Sequence, residues 1–264
     1  MKDNLTSSKS CRICNHEANY IFQSIVLNNY KVTYYHCSNC SFLFTEKPYW
    51  LEEAYKEPIN KSDTGILQRN IDLANFTTKL LFYLFDHNKT FLDFGGGYGF
   101  FVRLMRDKGF DFLWDDAYTE NLLARGFEYG HEPIELITSF ETFEHFEDPI
   151  YEIEKMLTIS SNILFTTVLY PNPIPRPENW WYYGLQHGQH ISFYNLDTLN
   201  FIAYKYNLNI YSNGFDFHLL TSRKVNKYLW RILNSSRFSF YLNKYIKRKL
   251  VSKTWTDHFK IKAN

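Results

Sequence analysis

Between residues 89 and 222 the chain alternates between two hydrophobic periods. TFLDF (90–94), FDFLWDD (110–116), IELITSF (134–140) and SNILFTTVLY (161–170) are short, nearly continuous apolar runs, the pattern of buried strands. Between them, YGFFVRLMRDKG (98–109) and DPIYEIEKMLTI (148–159) carry helical spacing, while AYTENLLARG (117–126) reads as a helix or a turn. A further helix, NLDTLNFIAYKYN (195–207), follows a proline-rich loop, and LNIYSN and FDFHLLTS look like a closing hairpin around a glycine. Strand–helix alternation with short linkers predicts a parallel sheet with helices on both faces.

The flanks have other rhythms. YIFQSIVL, KVTYYHC and SFLFT are β-prone runs around an Asn28–Asn29 turn signal and predict a small β module. EKPYWLEEAYKEP reads as a connector, and helical spacing runs from Ile66 to about Asp86. After residue 222, one helical face gathers Val225, Tyr228, Leu229, Ile232 and Leu233, and a second gathers Leu242, Tyr245, Ile246 and Leu250. The expected organisation is a module at 1–46, a helical connector at 47–88, a central domain at 89–222 and a helical tail at 223–264.

Composition sharpens this. The 264 residues are 45% hydrophobic, enough for a sizeable core, and the formal charge is +1. That near-neutral total is uneven: residues 223–264 hold twelve Lys/Arg against one acid, Asp257. A cationic amphipathic tail suits an anionic membrane surface, a partner enzyme or packing on its own domain. The N-terminus has no apolar core of a secretory signal, and no run approaches a membrane span, so the expected location is cytoplasmic, with the tail allowing a peripheral place at the inner membrane face.

Residues 95–99 hold four glycines in five positions, at the end of an apolar run and before a helical one. The dinucleotide pattern G-x-G-x-x-G fails, because the third glycine would fall on Phe100. What fits is D-x-G-x-G-x-G: Asp93, Gly95, Gly97 and Gly99. Bare backbone there lets a ligand approach closely. A carboxylate inside the motif repels a pyrophosphate and attracts an ammonium, so a zwitterionic amino-acid nucleoside is the expected ligand.

With these residues the chain resembles the class I S-adenosylmethionine-dependent methyltransferases, over roughly residues 66–222. The resemblance implies an α/β fold with a doubly wound, Rossmann-like, mostly parallel sheet. It assigns Asp116, in the strand-end segment DAY, to the ribose hydroxyls and extends the cofactor set to Phe140 and Glu141. EHFEDP (144–149) resembles the family's segment after the fourth strand. Methyl transfer needs an aligned nucleophile and often a base, and groups after the fourth and fifth strands are expected to face the methyl. His145 is the first expectation for that base and His190 the second, with Glu144 orienting an imidazole. Trp180–Tyr183 would either wall a sugar ring or pack the loop.

Cys11-x2-Cys14 and Cys37-x2-Cys40, 22 residues apart, have the spacing of a four-thiolate structural zinc site. His16 and His36 are read as bystanders. A module this small needs the metal's stabilisation. It resembles the N-terminal zinc-binding module of some bacterial sugar and natural-product methyltransferases. The longer sugar C-methyltransferases have a further large domain with no counterpart here, which counts against C-methyl chemistry. The ribbon holds few basic groups (Arg12, Lys31), which disfavours nucleic acid. The expected function is methylation of a small-molecule or sugar hydroxyl, in the setting of surface-polysaccharide synthesis. The alternatives are a non-catalytic zinc-ribbon scaffold and a nucleic-acid methyltransferase, the latter weakened by SFET standing where base-modifying relatives have an NPPY-type tetrad.

Overall fold

The computed structural model describes residues 8–56 and 63–263. Most of the N-terminal stretch read against a signal, and residues 57–62 of the expected connector, lie outside the described residues. The elements in chain order are β1 (Lys9–Ser10), β2 (Glu17–Val26), β3 (Tyr30–His36), β4 (Leu43–Thr45), α1 (Leu51–Ala54) and α2 (Ile66–Leu84). Next come β5 (Thr90–Phe94), α3 (Phe100–Asp107), β6 (Asp111–Asp115), β7 (Leu136–Ser139), α4 (Pro149–Ile159) and β8 (Asn162–Thr166). The chain continues with β9 (Ser192–Phe193), α5 (Leu196–Lys205), β10 (Asn209–Ser212), β11 (Phe217–Thr221), α6 (Lys227–Asn234), α7 (Ser236–Lys247) and α8 (Thr254–Ala263).

The fold is α/β. A six-stranded, mostly parallel sheet runs β10-β11-β8-β7-β5-β6, and a five-stranded sheet runs β1-β2-β3-β4-β9. By compactness the residues divide into two units that do not follow chain order. One comprises Met1–Lys61, Glu141–Lys155 and Phe165–Leu220; the other comprises Ser62–Phe140, Met156–Leu164 and Thr221–Asn264.

In the first unit, β2 and β3 form a hairpin whose turn places Leu27 and Asn28 at positive φ, a region asparagine tolerates. β4 pairs with β3 on one side and with β9 on the other, Leu43 opposite Phe193. The periodicity gave no strand at 192–193: two residues are too few to show a period. This late strand changes the account of the small module. Its buried residues Tyr34 and Leu43 share one core with Trp50, Tyr182, Tyr183 and Phe193. Each buried aromatic removes roughly 150–250 Å² from water, so the metal is not the sole stabiliser of the ribbon. Arg12 is half-buried. Its guanidinium donates to the carbonyls of Glu147 and Ile191 at 2.9 and 2.8 Å and lies 4.9 Å from the Phe44 ring centre. Burial lowers its pKa to about 10, still cationic at neutral pH.

In the second unit, β5 pairs in parallel with β6 and β7, with Asp93 opposite Trp114 on one side and Thr138 on the other. Gly99, at φ +83°, turns the chain from the loop after β5 into α3. Residues 117–126 take the turn alternative. The Asn121 side chain accepts from the Ala124 N–H at 2.8 Å, and Gly126 sits at φ +83°.

The tail in this unit forms three helices, α6 to α8. The expected faces are partly corrected: Trp230, Leu233 and Ile246 are buried, whereas Tyr228, Ile232 and Tyr245 are exposed. Short helices with polar side chains on every turn leave the buried face to be chosen by what they pack against, here α2.

Candidate functional site

In the second unit, the glycine loop sits between the ends of β5 and β6. The N–H groups of Gly95 and Gly96 donate to the Asp115 carbonyl at 2.9 and 3.1 Å, and that of Gly99 to the Gly96 carbonyl at 3.0 Å. The Gly97 N–H donates to the Asp116 carboxylate at 2.8 Å. Trp114 completes the brace, its indole N–H reaching the Gly97 carbonyl at 2.8 Å. A loop with these amides spent offers no anion cradle of the kind phosphates use. It offers a surface without side chains instead. A Cβ at Gly97 would meet open space, whereas one at Gly96 would stand 2.8 Å from the Trp114 ring.

Asp93 is buried beneath this loop, with Oδ1 accepting from the Thr138 hydroxyl at 2.7 Å. Burial pushes its carboxyl up to about 7, against the pull of the Thr138 bond and with help from the Asp116 charge. Asp116 also accepts from the N–H groups of Tyr118 and Thr119, each at 2.8 Å. Three of its roughly four lone-pair positions are therefore taken by backbone amides, one of the glycine loop and two of its own turn. Phe140 follows β7 and packs edge-on against Phe101, 4.9 Å between centres. Trp114 and Thr138 were not singled out from the sequence. Their roles come from register beside Asp93, which only the sheet supplies.

In the first unit, Glu141 stands at φ +54°, strained for a residue with a Cβ. Its N–H donates to the Thr166 hydroxyl, which in turn donates to its carboxylate, both at 2.8 Å. A short turn, Phe143–His145, follows. Phe143 is buried and stacks on Phe165 at 3.9 Å. The carbonyls of Phe143 and Glu144 accept from the Tyr194 hydroxyl and the Ile191 N–H at 3.0 and 2.8 Å.

This turn brings Glu144 and His145 to His190, with one ligand-type atom from each within 4.8 Å of the others. The His145 and His190 ring centres are 5.1 Å apart, and His187 lies 4.7 Å from His190. Burial lowers the pKa of His145 to about 4 and holds that of His190 well below the ordinary imidazole value, each aided by neighbouring imidazoles. Glu144 is pushed well above the carboxylate range by burial, with the Glu141 charge adding to it.

Tyr55, absent from the sequence-level set, places its hydroxyl 2.9 Å from His145 Nδ1. Two hydrogen bonds hold its helix end in place: Gln189 to the Ala54 carbonyl at 2.9 Å and Trp50 to the Gly188 carbonyl at 2.8 Å. Of the aromatic run, Tyr182 and Tyr183 are core residues and Trp181 is exposed. Trp180 lines a cavity of about 460 Å³ with Asn172, Asp197 and Phe215.

The four cysteines, also in the first unit, gather as their spacing implies. All four sulfurs lie within 4.8 Å of one another, Cys11 and Cys40 at 3.5 Å and Cys14 and Cys37 at 3.4 Å. No disulfide joins them. Tetrahedral zinc with bonds of about 2.3 Å sets its sulfurs about 3.8 Å apart, so the group fits that ion. The Ile13 N–H points at Cys11 Sγ, 3.4 Å away. The Cys40 thiol holds Cys11 down, to about 5, and the same bond drives Cys40 up: such crowded thiols share negative charge unevenly without a cation. His16 and His36 bond to the Cys14 carbonyl and the Tyr170 hydroxyl, at 3.1 and 3.3 Å.

The family model described as "Methyltransferase domain" matches residues 67–213. Among solved structures, the chain is similar to TnmH, with 15% identity and a TM-score of 0.46 over 67% of this chain and 62% of that one. It is also similar to the mitomycin 7-O-methyltransferase MmcR, at 12% identity and TM-score 0.44 over 65% and 60%. Human N-acetylserotonin methyltransferase in complex with SAM gives 14% identity and TM-score 0.39 over 66% of each chain. The chain thus spans less than two thirds of the length of these proteins. No curated protein sequence matches it.

Proposed function

The chain belongs to the class I methyltransferase-domain family, and from that premise we propose that it transfers a methyl group from S-adenosylmethionine to a hydroxyl of a small molecule. The observation that carries the cofactor assignment is the glycine loop. Its amides are satisfied within the protein, its Gly97 face is open, and a buried carboxylate lies beneath it. That combination suits a ligand that is cationic at its amino-acid end and disfavours a pyrophosphate. Asp93, Gly95, Gly97, Gly99, Asp116 and Phe140, all in the second unit, form the proposed cofactor set, with Asp116 acting through the backbone it braces.

The proposed acceptor chemistry rests on the histidine group. S-adenosylmethionine supplies an excellent leaving group, so this chain has to orient a nucleophile and take its proton. His145, held by Tyr55, is the proposed base. His190 and Glu144 complete the polar group around it. The finer reading, a sugar acceptor, is supported by the Trp180 cavity, where ring faces and polar side chains occur together. Zinc is the proposed ion for the four cysteines, with a structural role, because all four ligand positions are protein sulfurs.

The tail is proposed to meet an anionic membrane surface: Phe240, Tyr241, Trp255 and Phe259 are exposed among its lysines and arginines. No described helix is long and apolar enough to cross a membrane.

Calorimetry with S-adenosylmethionine and with NAD tests the cofactor assignment; binding of NAD alone overturns it. A mass-spectrometric screen of hydroxylated small molecules and nucleotide-sugars, read as the gain of one methyl group, tests the acceptor class.

A further inference from the structure

Glu144 presents a problem that proton transfer alone does not explain. Its side chain is 1% exposed, and neither carboxylate oxygen completes a hydrogen bond. The hydroxyls of Tyr182 and Thr167 lie close enough to favour its charged form without closing one. A buried polar atom left without a partner is costly, more so when charged, so such a group ordinarily has a partner to meet.

The two histidines beside it each have a polar partner at Nδ1. His190 Nδ1 lies 2.6 Å from the Tyr182 carbonyl, which only accepts, so Nδ1 carries the proton and Nε2 keeps its lone pair. His145 Nδ1 lies 2.9 Å from the Tyr55 hydroxyl, and the Gln189 backbone lies near enough to favour the charged ring, a contact that an ion on Nε2 would displace. Metal-binding histidines have this arrangement, one nitrogen on the ion and the other on a carbonyl or other polar partner. His187 does not join them. Its Nδ1 accepts from the Gln189 N–H at 3.2 Å, so its Nε2 carries the proton.

We infer that Glu144, His145 and His190 bind one divalent transition-metal ion of the zinc class, with a coordination position left open. Two imidazoles and one carboxylate are a donor set such ions favour, and three protein ligands are the pattern of reactive sites rather than structural ones. The three donor atoms already lie within 4.8 Å of one another. What the open position does rests on the function proposed above. A hydroxyl coordinated there loses its proton more readily, the task assigned to His145 when no ion is bound. The binding itself does not depend on methyl transfer.

The test is metal uptake by the full chain, titrated with Co2+ after its metals are removed. Ions at the four cysteines give intense thiolate charge-transfer bands. An ion held by nitrogen and oxygen adds only weak ligand-field bands. The expected result is a second equivalent of Co2+ with the weak bands, lost in Glu144→Gln and in His190→Asn while the thiolate bands stay. His145→Asn is a third variant, should either of the others fail to fold. Uptake confined to the cysteines in the wild type, or a second equivalent unchanged in folded variants, overturns the site. Calorimetry with S-adenosylmethionine on the same samples separates the two readings. A chain that binds the cofactor but no second ion overturns the metal site alone. One that binds a second ion but no cofactor upholds the metal site and overturns the cofactor assignment.

Discussion

Asp257, the single acid of the C-terminal tail, grips Arg106 of α3 with both carboxylate oxygens, at 2.7 and 2.8 Å, across 151 positions of sequence. Arg103 adds a third bond at 2.8 Å, and Arg106 lies over the Phe127 ring at 3.6 Å. Asp257 and Arg106 are both buried. The tail is therefore fastened to its unit by a planar, two-pronged ion pair rather than by apolar burial alone.

Breaking that pair leaves buried Arg106 with Asp111, 2.8 Å away, as its remaining carboxylate, and typically costs about 3 kcal/mol, the low end for a broken buried pair. Asp257→Asn is expected to lower stability by that order in denaturant titration and to expose the tail to protease. Burial works against ionisation of Asp257, but the bonds from Arg106 and Arg103 outweigh it and hold its pKa below the ordinary 3.8. A carboxyl depressed in the folded state stabilises above its unfolded pKa. That contribution is lost as pH falls through the folded value, so the tail should loosen below about pH 4. Equal protease resistance of the variant at neutral pH would count against the fastening.

Asp93 carries the opposite sign. The folded chain keeps its proton up to about pH 7, whereas the unfolded chain releases it near 3.8. Between those values the folded state binds more protons, so this group makes stability fall as pH rises, by up to about 4 kcal/mol at 1.36 kcal/mol per unit. A cationic ligand reverses that by favouring the carboxylate. S-adenosylmethionine should bind more tightly as pH rises from 6 to 8 and release a proton on binding near pH 6.5. Calorimetry in two buffers of different ionisation enthalpy reads that proton. Asp93→Asn should lose at least about tenfold in affinity while melting no lower than wild type at pH 8.

Tyr55 positions the His145 ring through one hydroxyl. Tyr55→Phe removes that bond and keeps the ring, so kcat should fall about tenfold with KM little changed, whereas His145→Ala should cost at least about a hundredfold. Once the acceptor is in hand, steady-state kinetics decides. A Tyr55→Phe effect confined to KM would make Tyr55 a substrate contact instead.

The module that carries the cysteines shares a core with Trp50, Tyr182 and Tyr183 through Tyr34 and Leu43, so losing its ion should weaken the first unit without unfolding the whole chain. Cys37→Ser is expected to lower the melting temperature by about 10 °C, a few kcal/mol at about 2–4 °C per kcal/mol. Elemental analysis should find less zinc per chain than in the wild type. Full zinc content in this variant would exclude a four-thiolate site.

Short-range chemistry was readable from the sequence alone. Continuous apolar runs and period-3.6 patterns marked the strands and helices around Asp93, the glycine spacing marked the turn into α3, and the cysteine pairs marked a four-thiolate cluster. Each depends on residues close in sequence, whose geometry the backbone dictates locally. The tertiary structure decided what depends on distant partners. It joined Tyr55 to His145 across 90 positions and Arg12 to the Glu147 carbonyl across 135. It turned Tyr182 and Tyr183 into core residues and left Glu144 buried without a hydrogen bond. A side chain's periodicity says which face it occupies, but its protonation, its partner and its burial are set by whatever the fold brings against that face.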